Sequence, residues 1–147
     1  MTPAEMAALH HAVFVTPRPW SEAEIRTLLD QPTVFAVTQP QGFAMGQAIA
    51  GEAELLTLAV APAHRRAGRG RALLAAFEDA ARIRGADTAF LEVAADNAAA
   101  IALYDRQGYA ACGRRKGYYR GDEGREIDAV IMRRSLAMPR GQASSDA

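Results

Sequence analysis

A short basic loop between an apolar segment and a helical pattern carries the first residues that could do chemistry. Residues 55–60 are apolar and precede Pro62, and the spacing Arg65-x-x-Gly68-x-Gly70 follows. The first turn of a helix leaves N–H groups unpaired and carries partial positive charge, and glycine lets a backbone approach an anion closely. The loop therefore predicts a phosphate cradle, to which its arginines add charge.

The alternative interpretation of this loop is a basic surface connection between a strand and a helix. The sequence lacks the G-x-x-x-x-G-K-[ST] loop of nucleotide-binding proteins and a G-x-G-x-x-G dinucleotide loop with its acidic partner. The spacing instead resembles the acetyl-CoA pyrophosphate loop of the GNAT superfamily of N-acetyltransferases. The resemblance implies that coenzyme A is bound by Leu58, Ala59, Val60, Arg65, Arg66, Ala67, Gly68, Arg69, Gly70, Arg71 and Asn97.

Composition narrows the class of protein. The chain has 147 residues, half of them hydrophobic, which suits a single α/β domain with a sizeable core. The formal net charge is zero, which argues against generic nucleic-acid binding. Cys112 is the single cysteine, so no intrachain disulfide can form, and no apolar run approaches the length of a membrane span. With no signal-like N-terminus, these features predict a cytoplasmic protein without membrane contact.

The helical segments follow from apolar spacing and capping residues. Ser21 and Glu24 form a capping box, and Asp96-Asn97 predicts a second helix start. Gly85 is suited to end the helix that follows the basic loop. Trp20 is interpreted as packing beneath the second helix, with a substrate groove as its alternative. The predicted helices cover residues 3–15, 22–29, about 72–84 and 98–106.

The strands are predicted from short apolar, β-branched runs between turn residues. Short connections predict that the first three are antiparallel neighbours, and the strand–helix–strand crossover around the long helix predicts one parallel pair. The tyrosine-bearing basic segment 114–124 is predicted to be a loop. We expect one domain over 1–138 and a disordered tail over 139–147. The predicted strands are 33–38, 43–50, 54–60, 88–93, 109–113 and 127–133.

A second group of motifs lies in the C-terminal half. It consists of Leu91-Glu92-Val93, the run from Asn97 to Tyr104, Gly108-Tyr109, Arg114-Arg115 and Tyr118-Tyr119. Together they resemble the RimI-type ribosomal-protein-alanine N-acetyltransferases. The resemblance implies a GNAT fold, in which a mixed, mostly antiparallel sheet with flanking helices splits between two central parallel strands to admit acetyl-CoA.

The resemblance also implies roles for individual residues. An N-terminal amine has a pKa of roughly 8, so a carboxylate must accept its proton before acetyl transfer. The glutamate that matches Glu92 is the general base in the family, and the tyrosine that matches Tyr104 protonates the leaving thiolate. A backbone N–H near residues 58–60 is expected to bind the oxyanion, and Asn97 to contact the cofactor. No metal is required.

Each candidate also has a structural interpretation. Glu92 could face solvent, Tyr104 could be a core tyrosine, and Asn97 could serve only as a helix cap. Tyr118 and Tyr119 fit peptide binding and ordinary packing equally well. The remaining candidates, His10, His11 and His64, show no zinc or triad pattern and are interpreted as structural or solvated, and Cys112 as a small core residue.

Two departures from the family pattern fall where the acceptor should bind. Gly117 is an extra residue, and the segment 125–128 is locally longer. We expect acetyl transfer from acetyl-CoA to the N-terminal alanine of a ribosomal protein. The alternatives are acetylation of another N-terminus, a lysine or a small-molecule amine, and a non-catalytic regulator that binds acyl-CoA.

Overall fold

The computed structural model describes residues 1–14, 18–64 and 68–137. The predicted cofactor residues Arg65, Arg66 and Ala67 and the predicted tail 139–147 lie outside these ranges. The helices are α1 (Pro3–Val13), α2 (Glu22–Leu29), α3 (Arg69–Ile83) and α4 (Ala98–Arg106). The strands are β1 (Val34–Gln39), β2 (Gly42–Ile49), β3 (Glu52–Val60), β4 (Thr88–Ala94), β5 (Ala110–Arg120) and β6 (Glu126–Ser135).

The described strands form one six-stranded sheet in the order β1-β2-β3-β4-β6-β5. Only the β3–β4 pair is parallel, and its register runs from Glu52↔Thr88 to Leu55↔Leu91. Both strands continue beyond that register, β3 to Val60 and β4 to Ala94. The centre of the sheet is therefore split, which confirms the predicted mixed sheet with diverging parallel strands.

A β-bulge in β3 decides which side chains face which layer. Met45 pairs with Thr57 while Gly46 pairs with Leu55, so Leu56 is an extra residue on β3. Before the bulge, Leu55 packs in the core beneath α3; after it, Thr57 contacts α1 and Leu58 packs towards the α3 side. The bulge thus reverses the alternation of β3 at the point where it leaves β4.

Two hydrophobic clusters lie on opposite faces of the sheet. The larger one packs α3, with Leu73, Leu74 and Phe77, against the central strands. The smaller one packs α1 and α2, including Met6 and the fully buried Ile25, against β1 to β3. Among the described elements, the strongest strand contacts of α1 are with β3 and those of α2 are with β1, so these two helices cover the β1–β3 half of the sheet.

The capping signals read from the sequence are present. Ser21 accepts a hydrogen bond from the N–H of Glu24, whose side chain accepts one from the N–H of Ser21. The Oδ1 of Asn97 accepts a hydrogen bond from the N–H of Ala100, and α4 begins at Ala98 as predicted. Trp20 packs in the cluster that contains Ile25, as expected of a residue beneath α2.

The prediction of a loop over 114–124 was wrong for residues 114–120, because β5 continues to Arg120. This strand lies at the edge of the sheet, so most of it is exposed and shows no apolar alternation. Two register shifts, at Ala111/Gly113 and at Arg115/Tyr119, also break its pairing with β6. Cys112 lies in the first shift and is exposed, so its interpretation as a core residue was wrong as well.

A buried carboxylate ties α3 to β6 and to the residue before β5. Glu78 is 3% exposed; it accepts hydrogen bonds from the Tyr109 hydroxyl at 2.9 Å and from Arg134 Nη1 at 2.8 Å. Tyr109 in turn packs edge-on against Tyr104 at 6.0 Å between ring centroids. The network therefore fixes the ring of Tyr109, against which Tyr104 of α4 packs.

Glu78→Ala is expected to lower the free energy of unfolding by about 3 kcal/mol, because Arg134 and the Tyr109 hydroxyl lose a buried partner. Urea denaturation measures the change. Asp79→Ala is the matched control: its carboxylate is 75% exposed and pairs with Arg82, so about 0.5 kcal/mol or less is expected. Equal losses in the two variants would contradict the structural role of Glu78.

Candidate active site

A cavity of about 1010 Å³ occupies the split in the sheet. It is lined at one end by the N-terminus of α3, in the middle by β3, β4 and α4, and at the other end by α1 and Trp20. The cavity therefore extends from the N-terminus of α3, past the diverging strands, to the face of the sheet that carries α1 and α2.

The N-terminus of α3 has the features of an anion site. Gly68 is the N-cap residue, has φ 75° and provides no side-chain cap, so the first-turn N–H groups have no side-chain acceptor from it. At Gly70 a Cβ would lie 3.3 Å from Leu103, so a side chain there would be crowded against α4. Gly68, Arg69, Gly70 and Arg71 all line the cavity, and their role as a phosphate cradle remains a prediction.

Arg69 has hydrogen-bonding capacity that the described part of the chain does not use. Its Nη1 donates to the carbonyl of Pro40 at 3.3 Å, while its Nε is buried without a partner there. A buried donor without an acceptor is costly, and a phosphate oxygen is a strong acceptor. The residues present therefore fit a phosphorylated ligand at this end.

The backbone of β3 presents donors towards the split. The N–H of Ala61 donates to the carbonyl of Gln41, on the β2 side. Since backbone groups alternate along an antiparallel strand, Ala59 also pairs towards β2, and Leu58 and Val60 point towards β4. These two residues line the cavity where β4 has diverged, whereas Ala59 is fully buried in the α1–α2 cluster. An oxyanion donor is therefore expected at Leu58 or Val60.

Glu92 lies on β4 just past the last β3–β4 pair. Its neighbours Leu91 and Val93 belong to the core beneath α3, so Glu92 faces the opposite side of the sheet. Its side chain is 17% exposed, lines the cavity, and forms an ion pair with Arg115 at 3.1 Å. Glu92 is therefore not a solvent-exposed surface glutamate, which was the alternative interpretation from the sequence.

Tyr104 lines the same cavity from α4 and is 8% exposed. Burial, and to a smaller extent Tyr119, raises the pKa of Tyr104 to about 12, so its hydroxyl keeps its proton at neutral pH. The core-packing interpretation is also met, since the ring packs against Tyr109. Asn97 likewise lines the cavity while it caps α4.

Two further residues lie near Glu92: Glu54, which the sequence analysis did not single out, and Tyr119, for which it left peptide binding and packing open. Glu54 on β3 is half-buried, and burial, followed by the charge of Glu92, raises its pKa above the usual value. Tyr119 lines the cavity, and burial, followed by the charge of Glu92, raises its pKa to about 12. Its neighbour Tyr118 is 51% exposed. Strand alternation puts Glu54 on the face of Glu92, but only the tertiary contact identifies it.

His10 is structural, as predicted, yet it also lines the cavity. It is 1% exposed; its Nδ1 accepts from the N–H of Trp20 at 3.0 Å, so its Nε2–H is the group that donates to Thr57 Oγ1, also at 3.0 Å. Burial lowers the pKa of His10 to about 4, so it is neutral at pH 7. His10 thus joins α1, the residue before the N-cap of α2 and the first residue after the β3 bulge.

Two absences concern the described ranges only. Within them, no helix is long and apolar enough to cross a membrane. Among the same residues, no three His, Cys, Asp or Glu side chains are grouped so as to hold a metal ion. The statement that catalysis needs no metal remains a prediction.

Comparison with known proteins gives consistent results. The Acetyltransferase (GNAT) family model matches residues 6–109. The [ribosomal protein bS18]-alanine N-acetyltransferase of Escherichia coli is 41% identical over 124 residues, which are 82% of this chain and 83% of that protein. A crystal structure of the ribosomal-protein-S18-alanine N-acetyltransferase from Escherichia coli has a TM-score of 0.81 at 35% identity and covers 93% of this chain and 88% of its own.

A third relative has a different acceptor in its name. The streptothricin acetyltransferase of Streptomyces lavendulae is 44% identical over 73 residues, which are 50% of this chain and 39% of that protein. The split sheet, its cavity and these similarities together define an acyltransferase. The chain belongs to the Acetyltransferase (GNAT) family and is of the RimI type.

Proposed function

We propose that this chain transfers an acetyl group from acetyl-CoA to the N-terminal α-amine of a protein, with the N-terminal alanine of a small-subunit ribosomal protein as its acceptor. The observation that supports the proposal most directly is that Glu92 and Tyr104 line one cavity, which also reaches the N-terminus of α3. The similarity to the bS18-alanine enzyme supports the acceptor. The reaction belongs to the cytoplasm, where ribosomal proteins are made.

In this proposal the cofactor end is formed by the first turn of α3. The N–H groups after Gly68, with Arg69 and Arg71, bind the pyrophosphate, and Arg65, Arg66 and Ala67 belong to the same sequence motif. Asn97 lines the wall at the start of α4. When bound, acetyl-CoA supplies the activated acetyl thioester, and the β3 backbone at Leu58 or Val60 donates to the acetyl oxygen.

The acceptor end supplies the proton chemistry. An α-ammonium with a pKa of roughly 8 is mostly charged at neutral pH and must lose a proton before it attacks. Glu92, directly or through one water, accepts that proton. Tyr104 donates a hydrogen bond to the departing sulfur. Because the pKa of Tyr104 is about 12 and that of a thiol is roughly 8.5, full proton transfer from Tyr104 to the thiolate is unfavourable by itself. It is coupled to the loss of the second proton from the acceptor nitrogen after attack, which restores the Tyr104 hydroxyl.

The proposed function is tested with purified protein, acetyl-CoA and a panel of peptides that differ in the first residue, read by mass spectrometry. Acetylation of the α-amine of alanine-starting peptides is the expected result, and the ribosomal substrate is tested next. The matched control is the same peptide with a blocked N-terminus and a free lysine. Labelling of lysine alone would overturn the proposal.

A small-molecule amine is the second candidate acceptor, favoured by the similarity of half the chain to a streptothricin acetyltransferase. Streptothricin in the same assay separates the two acceptors. A non-catalytic acyl-CoA-binding regulator is disfavoured because Glu92 and Tyr104 are both present on the cavity wall. Full cellular function with both side chains neutralised would revive it.

Gly68→Glu is expected to weaken coenzyme A binding by about tenfold or more, because it places a negative charge at the helix N-terminus that binds phosphate. Calorimetry measures the affinity. Gly85→Glu is the matched control: both glycines have positive φ, 75° and 84°, and an added Cβ at either would meet nothing within 4 Å. Backbone strain is therefore similar, and equal affinity in the two variants would contradict the assignment of the cradle.

A further inference from the structure

We propose that Arg115 occupies, in the acceptor-free enzyme, the place beside Glu92 that the acceptor's α-ammonium takes during the reaction. Arg115 is then a positioning residue that every acceptor must displace. This inference rests on the proposed function and adds a competition between a side chain of the enzyme and its substrate. It follows from an ion pair, from the way β5 presents it, and from the charges around it.

The ion pair with Arg115 covers the Glu92 carboxylate on its solvent-facing side. Arg115 Nη2 lies 3.1 Å from Glu92 Oε1; the glutamate side chain is 17% exposed and the arginine side chain 54% exposed. The arginine is therefore the outer member of the pair. A general base must come within hydrogen-bond reach of the proton it removes, or within one water of it. An acceptor amine that enters from this face meets the guanidinium first.

The bulged strand β5 fixes which arginine faces Glu92. Arg115 pairs with Ala129 on β6, immediately before the second register shift. Gly117, with φ 62°, donates its N–H to Asp128 Oδ1 at 2.9 Å, and Arg114 Nε donates to Asp128 Oδ2 at 2.8 Å. Asp128 thus holds the irregular segment and engages Arg114, which leaves Arg115 for Glu92.

The groups that face this position come from four elements. Two carboxylates, Glu54 on β3 and Glu92 on β4, lie on one side of the sheet, and Arg115 acts against the raised pKa of Glu54. The charges of Glu54, Glu92 and Arg115 also influence the pKa of Tyr119 on β5. Tyr119 in turn influences the pKa of Tyr104 on α4. Arg115 is therefore the cation that offsets the two carboxylates before an acceptor arrives.

An ammonium and a guanidinium that both contact the same carboxylate lie close together and repel each other. The acceptor therefore replaces Arg115 rather than joining it. The displaced side chain has a surface to rest on, because its Cζ already lies 5.1 Å from the centroid of the Tyr118 ring. Tyr118 is half-exposed, so this movement needs no change in the core.

Arg115→Gln tests the competition through the split between KM and kcat. The variant is expected to lower the acceptor KM by about two- to fivefold at low salt, in line with a lost exposed ion pair, and to leave kcat within about twofold. The difference in KM should shrink as the ionic strength rises, since salt screens the exposed charges. A raised KM would show instead that Arg115 binds the acceptor, and an unchanged KM would also overturn the proposal.

Arg26→Gln is the matched control, because it removes the same charge from another exposed ion pair, on α2, where the arginine side chain is 59% exposed. An equal fall in KM would mean that general surface charge, not the contact with Glu92, is responsible. Arg115→Lys keeps the charge, so its acceptor KM should stay close to the wild-type value. Equal thermal midpoints of the variants exclude a folding defect.

A second readout does not depend on turnover. In the protein saturated with coenzyme A, the Arg115 side-chain NMR signal should shift when an alanine-starting peptide is added. The N-acetylated form of the peptide, which lacks the ammonium, should not shift it. Equal shifts would overturn the proposal. Failure of the proposed function is a separate result, because it appears as no α-amine product in the peptide panel.

Discussion

Replacing Glu92 with glutamine is expected to lower kcat/KM for an α-amine acceptor by about 10³-fold at pH 7, within the range for loss of a general base. The amide keeps the size of the side chain and cannot accept the proton. The carboxylate lies in the cavity, next to the point where β3 and β4 separate. Initial rates with saturating acetyl-CoA and varied peptide measure the loss.

The pH dependence of this loss gives a second test. At pH 7 roughly a tenth of an amine with a pKa of about 8 is neutral, and above pH 9 most of it is. The defect of Glu92→Gln should therefore shrink as the pH rises, because the acceptor then arrives without the proton that Glu92 removes. A defect of constant size from pH 7 to about 9.5 would argue that Glu92 only holds the acceptor.

Glu54→Gln is the matched control for the base, since Glu54 is a carboxylate on the same face of the neighbouring strand. A loss of tenfold or less is expected from the change in charge. If Glu54→Gln costs as much as Glu92→Gln, the assignment of the base to Glu92 is wrong.

Replacing Tyr104 with phenylalanine is expected to lower kcat by about 10²-fold, at the low end of the range for a general acid. The low end is expected because the pKa of Tyr104 is about 12, which makes its hydroxyl a weak acid towards a thiolate. The coenzyme A affinity should change little, since the ring remains in its packed position. Stopped-flow single-turnover rates separate the chemical step from product release.

Tyr109→Phe is the matched control for Tyr104. The two rings are in edge contact, but the Tyr109 hydroxyl donates to Glu78 rather than facing the cavity. The control should lose stability, by about 1 kcal/mol, while its kcat stays close to wild type. If kcat fell in Tyr109→Phe and stayed close to wild type in Tyr104→Phe, the assignment of the general acid to Tyr104 would be wrong.

Local signals account for most of the architecture that the sequence predicted. The capping box at Ser21 and Glu24 and the cap at Asn97 set helix starts through contacts three residues apart, so they can be read directly from the chain. The strand–helix–strand crossover predicted the parallel pair. The glycines of the basic loop predicted the helix N-terminus that now lines the cavity.

The extent of β5 and the ion pair at Glu92 could not be read in the same way. Edge strands with bulges have no apolar alternation, so residues 114–120 look like a loop until pairing with β6 is known. The exposure of Cys112 has the same cause. Which of two adjacent arginines reaches Glu92 depends on Asp128, a residue of another strand.

The sequence by itself determined the order of the elements, the phosphate-type loop and the candidate pair Glu92 and Tyr104, because these depend on local spacing and on motifs that resemble a family. Only the tertiary structure decided that β3 carries an extra residue at Leu56, that Glu54 and Arg115 surround Glu92, and that Tyr104 is buried. The physical reason is that strand register and burial are set by contacts between distant segments, which no local pattern specifies.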